Sequence, residues 1–283
     1  MYSVFSVSVI VLLFAVLPGI AAGSEYVVSS QAEFLDAIGS DRTIVLDPGK
    51  IVLVEIPPPC DYECALFPSE HANPHVGYNW ESDGVTVVVS DVSNMTIQGS
   101  GELASSLLTE PRYSFVIEFV DCSDLVISNL IAGHTAGGYC ENGVFGFMNC
   151  NDVVISDCDL FGCGTVGLEI KDSSGFRFTD SVVRDCAYGI MEFRNSHDLL
   201  FENSLFIDNG EYYGVIARQC SGIEFTGCTF ENSVLYECPP LFDLNAYGEI
   251  SFLDCIVSDY PCEEVEGITL LPPLKSMTTE RSW

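Results

Sequence analysis

Basic residues are scarce in this chain: 10 Lys and Arg stand against 41 Asp and Glu, for a formal net charge of −31. Binding to a phosphate backbone or an anionic membrane surface is driven by Lys and Arg displacing counterions, so the deficit excludes nucleic acid as a partner and leaves no membrane role beyond export. The acidity suits saline or calcium-containing surroundings; the plainer reading is a solvated acidic surface. Long apolar runs are also few. Val9 to Leu17 is too short to span a bilayer, and with Pro18, Ala21, Ala22 and Gly23 behind it, residues 1–23 read as a signal peptide. No Lys or Arg precedes the run, which keeps an uncleaved anchor as the alternative. The expected location is secreted or extracytoplasmic. Thirteen cysteines is an odd number for an exported chain, so at least one is unpaired or intermolecular.

Also missing are hairpin signals and helical patterns between the short apolar segments. What is there instead is a repeat. With Cys150 as an anchor, equivalent positions are Val92, Cys122, Ser173, Ser196, Cys220 and Tyr247, at steps of 23 to 30 residues. Five and three residues before the anchors stand apolar pairs such as Phe145 and Phe147, Leu168 and Ile170, Met191 and Phe193. Three and five residues after them come Val153 and Ile155, Phe176 and Phe178, Leu199 and Phe201, Ile223 and Phe225. Alternation places each pair on one face of a strand. Strands this short bury nothing alone; stacked in parallel, they close one continuous core.

The fold class expected is all-β: a right-handed parallel β-helix, a single-stranded solenoid of about seven regular coils with a short N-terminal capping helix. A β-sandwich is the rival, and it leaves the periodic column unexplained. Residues 24–283 would form one elongated domain, divided into a cap (24–55), a proline-rich insertion (57–80), coils (85–262) and a tail (263–283). Within the cap, Ser30-Gln31-Ala32-Glu33 has the capping-box pattern, and Phe34, Leu35 and Ile38 give a short helix one apolar side to plug the open end.

On this coil pattern, residues 25–262 resemble the secreted right-handed parallel β-helix proteins of the pectate-lyase-like superfamily. Glu110-Pro111-Arg112-Tyr113, Gly133-His134-Thr135, Gly138-Tyr139-Cys140 and Leu160-Phe161-Gly162-Cys163-Gly164 are similar to stretches of a bacterial subgroup of unknown activity. The pectate-lyase relationship would imply calcium held by carboxylates and an arginine base. No motif here matches that pair, nor the Asn-x-Asp, Asp-Asp and Arg-x-Lys signatures of polygalacturonases. Fold therefore leaves function open, with calcium the one cofactor the resemblance suggests.

Three constellations could carry chemistry. Cys60, Cys64, His71 and His75 have zinc's preferred ligand types, but the spacing is short for a finger, and a Cys60–Cys64 disulfide with surface histidines is the plainer reading. His134, in a bulge of its coil, could act as acid or base, or simply bond backbone. The third is the outer face of the first strand. Glu169, Glu192 and Asp243 occupy one outward column, and Lys171, Arg194 and Arg218 another, so that three of the 10 basic residues share a column. Exposed pairs of this kind are often only a solvated ladder. As a site, Glu169, Glu192 and His134 are the candidate catalytic groups, and Lys171, Arg194, Arg218 and Asp243 the candidate ligand-binding ones. The function this supports is binding or processing of an extracellular polysaccharide, as a lyase or glycoside hydrolase where it is catalytic. The alternative is a non-catalytic structural or adhesive surface protein.

Overall fold

A computed structural model describes residues 23–55, 70–101, 104–135, 142–162, 166–210, 213–233, 241–245, 250–258 and 268–271. Their strands form three sheets that wind around a common core. The first sheet runs in spatial order from Val76–Trp80 through Val85–Ser90, Ile117–Val120, Gly143–Met148, Val166–Lys171, Met191–Arg194 and Val215–Arg218 to Phe242–Asn245. The second begins with Ser24–Val28 and Arg42–Leu46 and continues through the strands that follow each anchor. A third, of three- to six-residue strands such as Asp159–Phe161 and Val182–Arg184, closes each coil. The sequence pattern marks this third wall only by small residues at its corner, because three residues are too few to display a period.

Seven sets of three parallel strands follow one another between Val85 and Ser258. The five between Ile117 and Glu231 are the regular ones, fewer than the seven expected. At the N-terminal margin, Val76–Trp80 pairs antiparallel with Val85–Ser90 across a turn at Ser82-Asp83-Gly84, which makes an edge strand of residues assigned to the proline-rich insertion. At the C-terminal margin, Ile268–Leu271 pairs in parallel with Cys255–Ser258, so the segment read as tail holds a further strand. Residues 1–22 and 56–69, and with them the signal-peptide reading, lie outside the described residues. No helix among the described residues is long and apolar enough to cross a membrane.

Packing follows the columns. Ile155 pairs with Phe178, Phe178 with Phe201 and Phe201 with Phe225, and all four are fully buried. Stacked rings continue the column, with Phe201 and Phe225 centroids 4.8 Å apart and Phe225 and Phe252 5.1 Å apart. The helix Gln31–Ala37 covers the N-terminal opening, burying Phe34, Leu35 and Ile38. Its Ser30 cap accepts from the Glu33 N–H at 3.3 Å, and Glu33 reaches back to the Ser29 N–H at 2.8 Å. Asn73 and Arg42 donate to the carbonyls of Ala37, Ile38 and Leu35 at the other end, so both helix ends carry side-chain caps.

The corners turn through residues in the left-handed region, two of them where the first sheet passes to the second. Asp121, Asn149, Asp172 and Asn195 end strands of the first sheet; Asp124, Asp152, Gly175, Asp198 and Gly222 open the second; Asn129, Asp157, Asp180, Asn203 and Gly227 end it; Gly162, Asp185, Asp208 and Asn232 end the third. Asp, Asn and Gly tolerate this conformation best, and Gln219 is the one exception among the described corners. Twelve aspartates among the described residues adopt it, so much of the acidity is a by-product of the way the chain turns. Inside the corners, hydroxyl, amide and thiol side chains satisfy buried backbone: Ser173 Oγ accepts from Cys150 N, Ser196 Oγ from Ser173 N, and Asn209 Oδ1 from Cys186 N. Cys122, Cys150, Cys158, Cys186, Cys220, Cys228 and Cys255 are free and buried in these columns.

Candidate functional site

The register of the first sheet places the proposed residues side by side. Glu169 pairs with Glu192 and Lys171 with Arg194 in adjacent strands; Arg194 then pairs with Arg218, and Ile216 with Asp243. Backbones in the two columns are therefore about 4.8 Å apart per coil. Two neighbouring carboxylates can share a proton, share a cation or be neutralised individually. Here each has its own cation. Lys171 Nζ lies 2.7 Å from Glu169 Oε1, and Arg194 Nε donates to Glu192 Oε1 at 2.6 Å. The Glu192 side chain is 11% exposed beneath an Arg194 that is 59% exposed, so the guanidinium is what a ligand meets first. Its hydrogen bond to Glu192 holds the Arg194 pKa above the usual arginine value. Arg218 turns to the next coil, where it binds the Asp243 carboxylate and donates to its carbonyl at 2.8 Å.

Two tyrosines that the sequence reading left out border this ladder, and Glu118, which its spacing places in the same column, lies on it. Tyr188 and Tyr213 stand before consecutive strands of the first sheet, with ring centroids 6.4 Å apart at an edge-to-face angle. A Cβ added at Gly189 would come within 2.5 Å of the Tyr213 ring, so the glycine is what lets that ring lie close to the chain. Burial, and then the nearby Glu192 and Glu169 charges, raise the Tyr213 phenol above its ordinary pKa, which keeps it a hydrogen-bond donor. The repeated Tyr-Gly step at 188–189 and 213–214 was the available signal. Two coils before Glu169 in the same outward column is Glu118, which accepts from Asn79 Nδ2 at 2.7 Å. Burial raises the Glu118 pKa, with Asn79 opposing, Glu169 adding to the rise and Lys171 opposing. The intervening position is Gly146, and the Phe115 ring lies against its face.

The other candidates lie elsewhere. His134 is 3% exposed, with Nε2 2.8 Å from the Ser114 carbonyl and Nδ1 3.1 Å from that of Gly162. It thereby draws together the 110–116 segment and the coil at Gly162, and burial lowers its pKa against the pull of those carbonyls. The hydroxyls of neighbouring Thr109 and Ser114 are buried with no hydrogen-bond partner among the described residues. Of the four possible zinc ligands, Cys60 and Cys64 lie outside the described residues. His71 Nδ1 accepts from Asn73 N at 3.0 Å, and His75 Nδ1 is 3.0 Å from the Ser90 carbonyl. Among the described residues no group of three or more ligating side chains could hold a metal ion.

The ladder is thus a flat, charged face several coils long with two tyrosines at its border, suited to an extended chain carrying hydroxyls or carboxylates. No curated protein matches the chain. Among solved structures, the ORF18 protein of Geobacillus virus E2 is similar in fold, with a TM-score of 0.52 at 12% identity, covering 81% of this chain and 48% of the viral one. The chain therefore spans about half the length of that protein. The enzymatically active domain of tailspike protein 2 from bacteriophage CBA120 aligns more loosely, with a TM-score of 0.38 at 14% identity over 79% of this chain and 37% of that one. Residues 78–230, more than half of the chain and the part that holds five regular coils, match the family model described as the right-handed β-helix region, and the chain belongs to that family.

Proposed function

We propose that this protein is exported and binds or processes an extracellular polysaccharide along the outer face of its first sheet. The observation that carries the reading is the cation column Lys171, Arg194 and Arg218, held in register over three consecutive coils beside Glu169, Glu192 and Asp243. An acidic sugar chain laid across the coils would exchange these internal ion pairs for its own carboxylates, while Tyr188 and Tyr213 offer ring faces and a phenol to uncharged sugar edges. Glu169 and Glu192 would be the carboxylates to hold calcium here, and it would supply positive charge toward an acidic sugar.

Both of those carboxylates already have a cation, which favours recognition over turnover. In a catalytic version of this reading, the proton donor is sought at Glu118, where burial favours the protonated form. The experiment is to measure affinity and product release on a panel of uronic-acid polymers for the parent, Glu192→Gln and Arg194→Ala. Loss of affinity in Arg194→Ala on the order of tenfold, the size of a lost charge-assisted hydrogen bond, supports the site. Parent-like behaviour of both variants in both assays contradicts it.

A further inference from the structure

On a second surface most carboxylates have no cationic partner among the described residues. On the outer face of the second sheet, the outward positions run in register from Thr96 through Val126, Val154, Arg177 and Leu200 to Glu224. From Val126 to Glu224 these positions floor a groove of about 660 Å³. Val126, Val154 and Leu200 put aliphatic surface on a face that polar residues ordinarily occupy. One rim is the left-handed column Asp124, Asp152, Gly175, Asp198 and Gly222. A Cβ at Gly175 would lie 2.7 Å from Asp152 Oδ1, and one at Gly222 3.0 Å from Asp198 Oδ1. Each aspartate therefore leans over the next coil's glycine, and side chains at those glycines would fill the groove.

The charge of the groove is unbalanced. Arg177, its one cation, turns away to Glu202 at 3.1 Å. Asp198 has only His197, at 3.3 Å, and Asp124, Asp152 and Glu224 have no cationic partner among the described residues. The groove crosses six coils from Asn94 to Gly222, a length of about 24 Å, which is the span of roughly seven residues of extended peptide. Among the described residues no exposed aromatic ring lines it, since Phe176 is buried, so they offer no stacking platform that would favour a sugar. Like charge disfavours a second copy of a chain at −31. We infer that the outer face of the second sheet docks a cationic, amphipathic peptide segment in extended form, its apolar side chains on Val126, Val154 and Leu200 and its lysine or arginine heads on the aspartate rim.

The test uses the full chain and a labelled heptapeptide of alternating Lys and Leu, with Lys-Ser and Glu-Leu peptides of the same length as references. Asp152→Asn/Asp198→Asn removes rim charge while keeping a side chain that tolerates the left-handed backbone. Asp157→Asn/Asp180→Asn removes the same charge from corners outside the groove. The expected result is binding of the Lys-Leu peptide that falls about tenfold in the rim variant and less than twofold in the corner variant. Val154→Ser/Leu200→Ser should weaken the Lys-Leu peptide to the level of the Lys-Ser one. Equal losses in the rim and corner variants would show diffuse attraction to an acidic protein and overturn the proposal. So would tighter binding of a glucosamine oligosaccharide than of the peptide, or self-association of the chain that the rim variant enhances.

Discussion

At a single corner residue, the left-handed backbone favours aspartate, asparagine or glycine, and most other side chains are strained there. Asp180 sits at φ 49°, exposed, at the end of a second-sheet strand. Alanine there has no polar side chain to offset the clash of Cβ with the carbonyl, so Asp180→Ala should lose about 1 kcal/mol in urea unfolding. Asp180→Gly should lose less than half of that; equal losses would mean the residue matters for its charge. Glu118 makes a different point. Its pKa is raised in the folded state, so its contribution to stability is full below the unfolded value and is lost as pH rises through the folded one. Glu118→Gln keeps an acceptor for Asn79 and removes that loss. Its melting temperature relative to the parent should therefore be more favourable at pH 7 than at pH 4, and a difference independent of pH would contradict the assignment.

At the scale of strands and corners, stability comes from columns. Phe201 touches rings in its own coil and both neighbours, with Phe193 at 5.4 Å and Phe225 at 4.8 Å between centroids. Phe201→Ala should cost about 3–5 kcal/mol by chemical denaturation. Asn209 is 2% exposed and serves two backbone groups, accepting from Cys186 N at 3.0 Å and donating to the Val183 carbonyl at 2.9 Å. Asn209→Ala orphans both, at about 1–3 kcal/mol for each buried group, and Asn209→Ser should recover part of the loss. The aromatic column was legible because inward positions alternate strictly about each anchor. The Asn209 corner was not, since a polar residue inside a turn looks like any loop residue until its backbone partners are known. Likewise the charge columns, Glu118 among them, could be read from spacing, whereas the Asn79 that bonds Glu118 comes from an antiparallel edge strand and the Tyr213 ring reaches the face through its contact with Gly189.

The molecule as a whole is a three-walled solenoid with a helix over one end, a paired-charge ladder on one wall and an unpaired acidic groove on another. That division of charge separates two readings that composition alone merges. His71 and His75 already engage Asn73 and Ser90, so a zinc chelator should leave the melting temperature unchanged; a fall of many degrees would revive a metal site with Cys60 and Cys64. Most direct is a structure of the protein soaked with calcium and an oligogalacturonate. Ordered sugar over Lys171, Arg194 and Arg218, with Glu169 and Glu192 released from their internal pairs, is the result expected. Sugar seated in the second-sheet groove or beside His134, or an empty first-sheet face at saturating ligand, would contradict the assignment of that face.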